Sequence, residues 1–253
     1  MGNSDTTWKK WGRVDPYYAV LTSPEYHRQE IDRHRNDFFE LGESSASALA
    51  NNFQRFFGAQ LHGRALDFGC GPGRVLVALA HRCESVVGVD ISPDMLKEAR
   101  RNCDGFGISN VAFAESNDTL SNVSGTFDFV HSHLVLQHIP VKRGLAIADR
   151  LLGLVNPGGL AMLHFSVERQ LSWARKPVYA IKHNVPLGLN FFNVLQRKPW
   201  NYPAMEMNNY PPGRILAAFQ AHGFADVVTI PEQHPTAFTL HFYGRKALEK
   251  RLH

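Results

Sequence analysis

Apolar residues recur along the chain in short runs, each closed by a polar or glycine-bearing break. Arg64–Phe68 reads as a buried strand, and Ser85–Asp90 as a second one rich in β-branched side chains. Val111–Ala114, Phe127–His131 and Leu160–Phe165 repeat the pattern. Helical spacing fills the gaps, over Gly73–His81, Asp94–Asn102 and Val141–Leu152. Ser92-Pro93 opens the second of these, because serine caps a helix start and proline is pre-set for its first turn. Asn156-Pro157-Gly158-Gly159 marks a turn. Upstream, residues 1–43 are polar and aromatic. They predict an irregular arm and then a helix over Ser23–Glu40. Ser44–Gly58 predicts another, with Ala48, Leu49, Phe53, Phe56 and Phe57 on one face. After an irregular stretch at 166–211, Pro212–His222 reads as a helix, and Ala225–Ile230 and Ala237–Tyr243 as the last two strands.

Strands alternating with helices imply an α/β fold, a doubly wound parallel sheet covered on both faces. The link Pro231–Thr236 is too short for a helical crossover, so the last two strands pair antiparallel. The expected sheet has seven strands, mostly parallel, with one reversed. The expected organisation is a helical arm or lid over 1–60, a core over 61–165, an inserted cap over 166–211, and a return to the core over 212–253.

Composition narrows the picture modestly. The chain has 253 residues, is 44% hydrophobic and carries a net charge of +4. That is a globular balance without the dense basic stripe that a phosphate backbone usually demands. No run approaches the roughly eighteen apolar residues of a membrane span. The polar start, with Trp8 and Trp11, lacks the apolar core of a secretion signal, although Gly2 and Thr6 fit a loose myristoylation pattern. Three cysteines, Cys70, Cys83 and Cys103, follow no zinc or redox spacing, so free thiols in a cytoplasmic protein are expected.

The chemistry concentrates at Ala65-Leu-Asp-Phe-Gly-Cys-Gly-Pro-Gly73. Glycines after a strand let the backbone turn sharply and approach a ligand. From Gly69 the third glycine comes one place too early for the dinucleotide pattern, and Arg74-Val75 stands where a phosphate loop needs Lys-Ser/Thr. Leu66–Gly73 resembles motif I of the class I S-adenosylmethionine-dependent methyltransferases. Val87–Leu96 resembles motif II, Phe127–Val130 with Leu134–Ile139 motif IV, and Pro157–Leu160 the turn before the fifth strand. The resemblance covers roughly residues 60–165 and the last two strands. It implies a Rossmann-like fold and S-adenosylmethionine as methyl donor, with no metal expected. It implies Asp67 near the donor's ammonium, and Gly69, Cys70, Gly71 and Gly73 along its methionyl arm. Asp90 takes the ribose hydroxyls, Ile91 and Met95 flank the adenine, and Asn117 or Asp118 meets the adenine amino group.

Methyl transfer from a sulfonium needs positioning above all, and an oxygen acceptor also needs a base. His131, Ser132, His133 and His138 follow the fourth strand and His164 ends the fifth. His133 and His138 are the candidate bases, with His133 counted in the donor site as well. His131-x-His133 also suits a metal, but no acidic or cysteine partner lies near in sequence. The acceptor pocket is expected from the arm and the cap. Trp11, Tyr17, Tyr18, Trp173, Tyr179, Trp200, Tyr202 and Tyr210 are the aromatic candidates. Arg169, Arg175, Lys176, Lys182, Arg197 and Lys198 are the cationic ones for an anionic acceptor. His131-Ser-His-Leu134 replaces the Asn/Asp-Pro-Pro-Tyr/Phe of amino-methylating nucleic-acid enzymes, and no Pro-Cys pair serves cytosine C5 chemistry. The expected activity is O- or N-methylation of a small molecule, by a monomer or homodimer without nucleic-acid or membrane partners. The alternatives are a nucleic-acid or protein methyltransferase and a silent donor-binding scaffold.

Overall fold

The computed structural model describes residues 3–170, 188–195, 200, 202–203, 205–234 and 236–248. Seven strands form one sheet: β1 (Arg64–Phe68), β2 (Ser85–Asp90), β3 (Val111–Glu115), β4 (Phe127–Ser132), β5 (Val155–Arg169), β6 (Asp226–His234) and β7 (Ala237–Arg245). Their order is β3-β2-β1-β4-β5-β7-β6. The first five strands pair in parallel, and β7 runs antiparallel to both β5 and β6. The fold is the expected Rossmann-like one, with its reversed strand beside the edge.

Helices cover both faces, and alternation along the strands explains why. Ala65, Val86 and Phe129 point into one core, against α3 (Ile31–Phe57), α4 (Arg74–Ala80) and α5 (Pro93–Gly105). Leu66, Val87 and Val130 point into the other, against α6 (Val141–Gly153) and α8 (Pro212–Ala221). The remaining helices are α1 (Asn3–Val14), α2 (Pro16–Val20) and α7 (Gly188–Leu195). None of the described helices is long and apolar enough to cross a membrane.

Three elements differ from the sequence reading. The arm begins as a regular helix, because Trp11 buries against Ala19 and Met95 and anchors α1 to α5. The two expected helices over Ser23–Glu40 and Ser44–Gly58 merge into one helix, α3, which starts only at Ile31. Gly42, between the two expected segments, lets α3 press onto α4, since a Cβ there would overlap the Arg74 carbonyl oxygen. The real stop is Gly58, left-handed at φ 59°. Finally, β5 starts before the turn at Asn156–Gly159. Phe127 pairs with Val155 and Phe129 with Leu160, so residues 156–159 bulge opposite Asp128.

Candidate functional site

In a doubly wound sheet the strand order reverses at one point, and the loops on either side of it leave a crevice at the carboxyl ends. Here the reversal lies between β1 and β4. A cleft of about 750 Å³, counting its open mouth, occupies that place. Phe68, Gly69 and Gly71 form its floor; Asp90, Ile91 and Met95 one wall; His133, Leu134, Val135 and His138 the other. Helices α1 and α2 close over it with Ser4, Asp5, Trp8, Ala19 and Val20.

The glycine loop is strapped to β2. The N–H groups of Gly69 and Cys70 both donate to the Val89 carbonyl, at 2.6 and 3.0 Å. Gly69 (φ 75°), Gly71 (φ 54°) and Gly73 (φ 95°) are all left-handed. At Gly69 a side chain is excluded twice over, since a Cβ would also stand 2.2 Å from Val135 Cγ2. Asp90 closes the loop from the other side. Its Oδ2 accepts from the Gly71 N–H at 3.0 Å and its Oδ1 from the Ser92 N–H at 2.9 Å. Burial raises its carboxyl to about 6 despite those two donors. Ser92 in turn caps α5, accepting from the Met95 N–H, and this sets Ile91 and Met95 beside Asp90.

Other candidate residues stand elsewhere. Asp67 lies beneath the loop, its Oδ1 2.7 Å from His131 Nδ1, and it does not line the cleft. The β1–β4 register explains this, because the two residues are direct partners. Cys70 is buried behind the loop, and Gly73 backs onto Ala99. Asn117 spends its side-chain oxygen on the N–H groups of Thr119 and Ser121, at 3.1 Å each, so it caps its own turn. Asp118 pairs with Arg143. Neither Asn117 nor Asp118 lines the cleft, whereas Ser116 does.

The histidines divide. His138 lines the cleft and packs at a tilt of 52° against Trp8, with ring centres 4.8 Å apart. Its Nδ1 donates to the Glu206 carbonyl at 2.6 Å, which fixes the lone pair on Nε2, 3.3 Å from Gln137 Nε2. Burial lowers its imidazole to about 4. His133 also lines the cleft, but its ring packs against His164 and His241, with centres 4.9 and 5.2 Å away. Desolvation holds His133 well below the ordinary imidazole range.

The aromatic candidates are largely structural. Tyr17 is buried with its hydroxyl 2.7 Å from Glu98 Oε1. The Tyr210 hydroxyl sits 2.7 Å from the carbonyl oxygens of both Leu136 and Ile139. Trp11 packs on Tyr18 and Tyr202, Trp200 is exposed, and none of these lines the cleft. Arg169 ends β5. Trp173, Arg175, Lys176, Tyr179, Lys182, Arg197 and Lys198 lie outside the described residues. Sequence reasoning missed Ser4, Asp5, Ser116 and Arg143. Arg143 sits on α6 and grips Asp5 of α1 as well as Asp118, a contact with no local sequence signal.

Residues 65–159 match the model of a methyltransferase domain. A trans-aconitate 2-methyltransferase of Methylobacterium radiotolerans is 35% identical over 98 residues, 38% of this chain and 35% of that protein. A ubiquinone biosynthesis O-methyltransferase of Xylella fastidiosa is 33% identical over 97 residues, 38% of this chain and 39% of that protein. The match thus spans little more than a third of each relative's length. The magnesium protoporphyrin IX methyltransferase of Synechocystis PCC 6803, solved with bound S-adenosylhomocysteine, superposes with a TM-score of 0.62 at 17% identity. That superposition covers 96% of this chain and 99% of that one.

Proposed function

We propose that this chain, whose residues 65–159 are a class I S-adenosylmethionine-dependent methyltransferase domain, binds that donor in the cleft and methylates an oxygen or nitrogen of a small molecule. The observation that carries this reading is the coupling of Asp90 to the loop. One buried carboxylate accepts from Gly71 and Ser92 and still edges the cleft. An ionised carboxylate has acceptor capacity beyond those two bonds, suited to a pair of ribose hydroxyls.

The residues fit the donor's parts in turn. Gly69 and Gly71 leave bare main chain for the methionyl arm, and a Cβ on Gly71 would come within 3.1 Å of Val20 across the gap. Ile91 and Met95 offer apolar flanks for the adenine. Ser116 is better placed for the adenine edge than Asn117 or Asp118, whose side chains are engaged elsewhere. Asp67 acts through the loop by way of its bond to His131. When bound, the donor supplies an activated methyl group for in-line displacement.

The acceptor enters between α1 and the loop after β4. His138 is the residue we assign to receive it. Its Nδ1 is held by the Glu206 carbonyl, so Nε2, once its 3.3 Å contact with Gln137 Nε2 is displaced, accepts a hydrogen bond from the acceptor's hydroxyl or amine and takes its proton as the new bond forms. With an imidazole lowered to about 4, His138 is a weak base, so orientation is its larger contribution. Trp8 gives the acceptor side an aromatic surface, which suits an aromatic small molecule, whereas Arg143 beside it is already paired with Asp5 and Asp118.

Isothermal titration with S-adenosylmethionine, S-adenosylhomocysteine and NADH, repeated on Asp90→Ala, tests the donor. Micromolar binding of the first two, lost in the variant, is expected. Preference for NADH, or no binding at all, would sink the reading. A screen of small hydroxy, carboxy and amino acceptors with labelled donor then identifies the class of acceptor.

A further inference from the structure

We propose that His133, His164, His241 and Glu232 form a transition-metal site, of the zinc type, against the outer side of the cleft wall. The four residues come from four strands or their ends: His133 just past β4, His164 on β5, Glu232 on β6 and His241 on β7. His164 and His241 are direct partners across the β5–β7 pair. One potential ligand atom from each residue lies within 4.8 Å of all the others.

The geometry matches what a small ion needs. Zinc–nitrogen bonds of about 2.0–2.1 Å arranged tetrahedrally put imidazole ring centres about 5 Å apart. The three ring centres here are separated by 4.9, 5.2 and 4.6 Å. Three nitrogens and one carboxylate oxygen suit Zn²⁺, Co²⁺ or Fe²⁺ better than Mg²⁺ or Ca²⁺, which take oxygen sets.

Two unpaired atoms point the same way. The Nε2 atoms of His133 and His164 are buried and have no hydrogen-bond partner among the described residues. Buried polar atoms are nearly always satisfied, so two such orphans on neighbouring rings call for a partner. A neutral imidazole has one lone pair to give. On their far sides the Leu134 N–H lies 3.3 Å from His164 Nδ1, and Arg74 Nη2 lies 3.4 Å from His133 Nδ1. These are long contacts, given up when the ring proton moves to Nδ1 and frees Nε2 for the ion. Glu232 completes the set. Its Oε2 is 2.7 Å from His241 Nε2 and 3.4 Å from His234 Nε2, and those histidines hold its carboxyl below the usual range.

Local sequence hid this arrangement. His131-x-His133 has no acidic neighbour along the chain, and His131 is committed to Asp67. The partners come from more than thirty residues downstream, and only the sheet order brings them together. Four protein ligands fill a tetrahedral ion, and closed sites of this kind are structural. The ion would therefore pin β4, β5, β6 and β7 to one another and hold the His133 ring in the cleft wall, leaving methyl transfer to the donor.

The test uses the full chain without an affinity tag of histidines, stripped with a chelator and titrated with Co²⁺. One equivalent is expected to bind with an intense visible band of tetrahedral cobalt, to be displaced by Zn²⁺, and to raise the thermal midpoint. Glu232→Gln and His241→Gln are each expected to weaken binding at least as much as losing an outer-sphere partner, which costs about 10- to 100-fold. His222→Gln, on a surface histidine paired with Asp149, should leave binding unchanged. Should His241→Gln fail to fold, the half-exposed Glu232 carries the test alone. Binding well below one equivalent, or binding undiminished in the Glu232 variant, overturns the proposal.

Discussion

Asp67 Oδ1 and His131 Nδ1 meet 2.7 Å apart across the β1–β4 seam, both side chains buried. The contact joins the strand that launches the glycine loop to the strand that launches the opposite wall. Replacing His131 with Phe leaves the Asp67 carboxylate buried without its partner. A loss of about 1–3 kcal/mol in urea unfolding is expected, the cost of leaving a buried acceptor unpaired. Asp67→Asn, which keeps a hydrogen-bonding oxygen, should cost less. Equal costs for the two variants would show that the bond does not hold the seam.

Donor affinity should depend on pH through Asp90. Its carboxyl is raised to about 6 by burial, and ribose hydroxyls need the ionised form as acceptor. Affinity is therefore nearly full by about pH 7, about half at pH 6, and falls further as the group takes up a proton. S-adenosylhomocysteine should bind about tenfold more weakly at pH 5 than at pH 7. Calorimetry across that range checks this, and a flat profile would remove Asp90 from the contact.

Stability should fall in the same window, for a different reason. His138 has its imidazole lowered to about 4, below the unfolded value of about 6.5. Between those values the unfolded chain binds more protons, so stability is full above pH 6.5 and is lost as pH falls. The loss from His138 alone is about 2 kcal/mol at pH 5. Asp90 opposes it, since a raised carboxyl favours the folded state as pH drops. His138→Gln should make the urea midpoint fall less steeply between pH 7 and 5, the remaining slope coming from His133 and His164, which burial also keeps neutral, and an unchanged slope would refute the assignment.

Gly69→Ala should destabilise the protein through two separable effects. The left-handed backbone costs a side chain about 1–2 kcal/mol, and the collision with Val135 adds about 1–3. Adding Val135→Ala should relieve the collision and leave the backbone cost. Thermal melts of the single and double variants separate the two. If the second change restores nothing, the loop must already have moved.

Much of this site was readable from local pattern. A strand's end, a glycine-rich turn and an acidic residue closing the next strand are each written within a few residues. They place Gly69, Gly71, Asp90, Ile91 and Met95 on the cleft without knowledge of the sheet order. What depended on register was not readable. Asp67 faces His131 because β1 and β4 pair in one alignment, and a slip of one residue would turn either away. Ser116 rather than Asn117 lines the cleft because Asn117 satisfies its own turn, a competition that spacing does not reveal. Nor was the continuity of α3 through Gly42 readable, because the use of that residue, close packing against Arg74, belongs to another helix.

The first helix has a consequence of its own. It contributes Ser4, Asp5 and Trp8 to the cleft and is fastened by charge, through Asp5 to Arg143 and through Lys9 to Glu115 at 2.8 Å. Such partly exposed pairs weaken as salt is added. Residence time is thus tied to ionic strength: molecules enclosed beneath this helix should depart faster in concentrated salt, even where their own contacts carry no net charge.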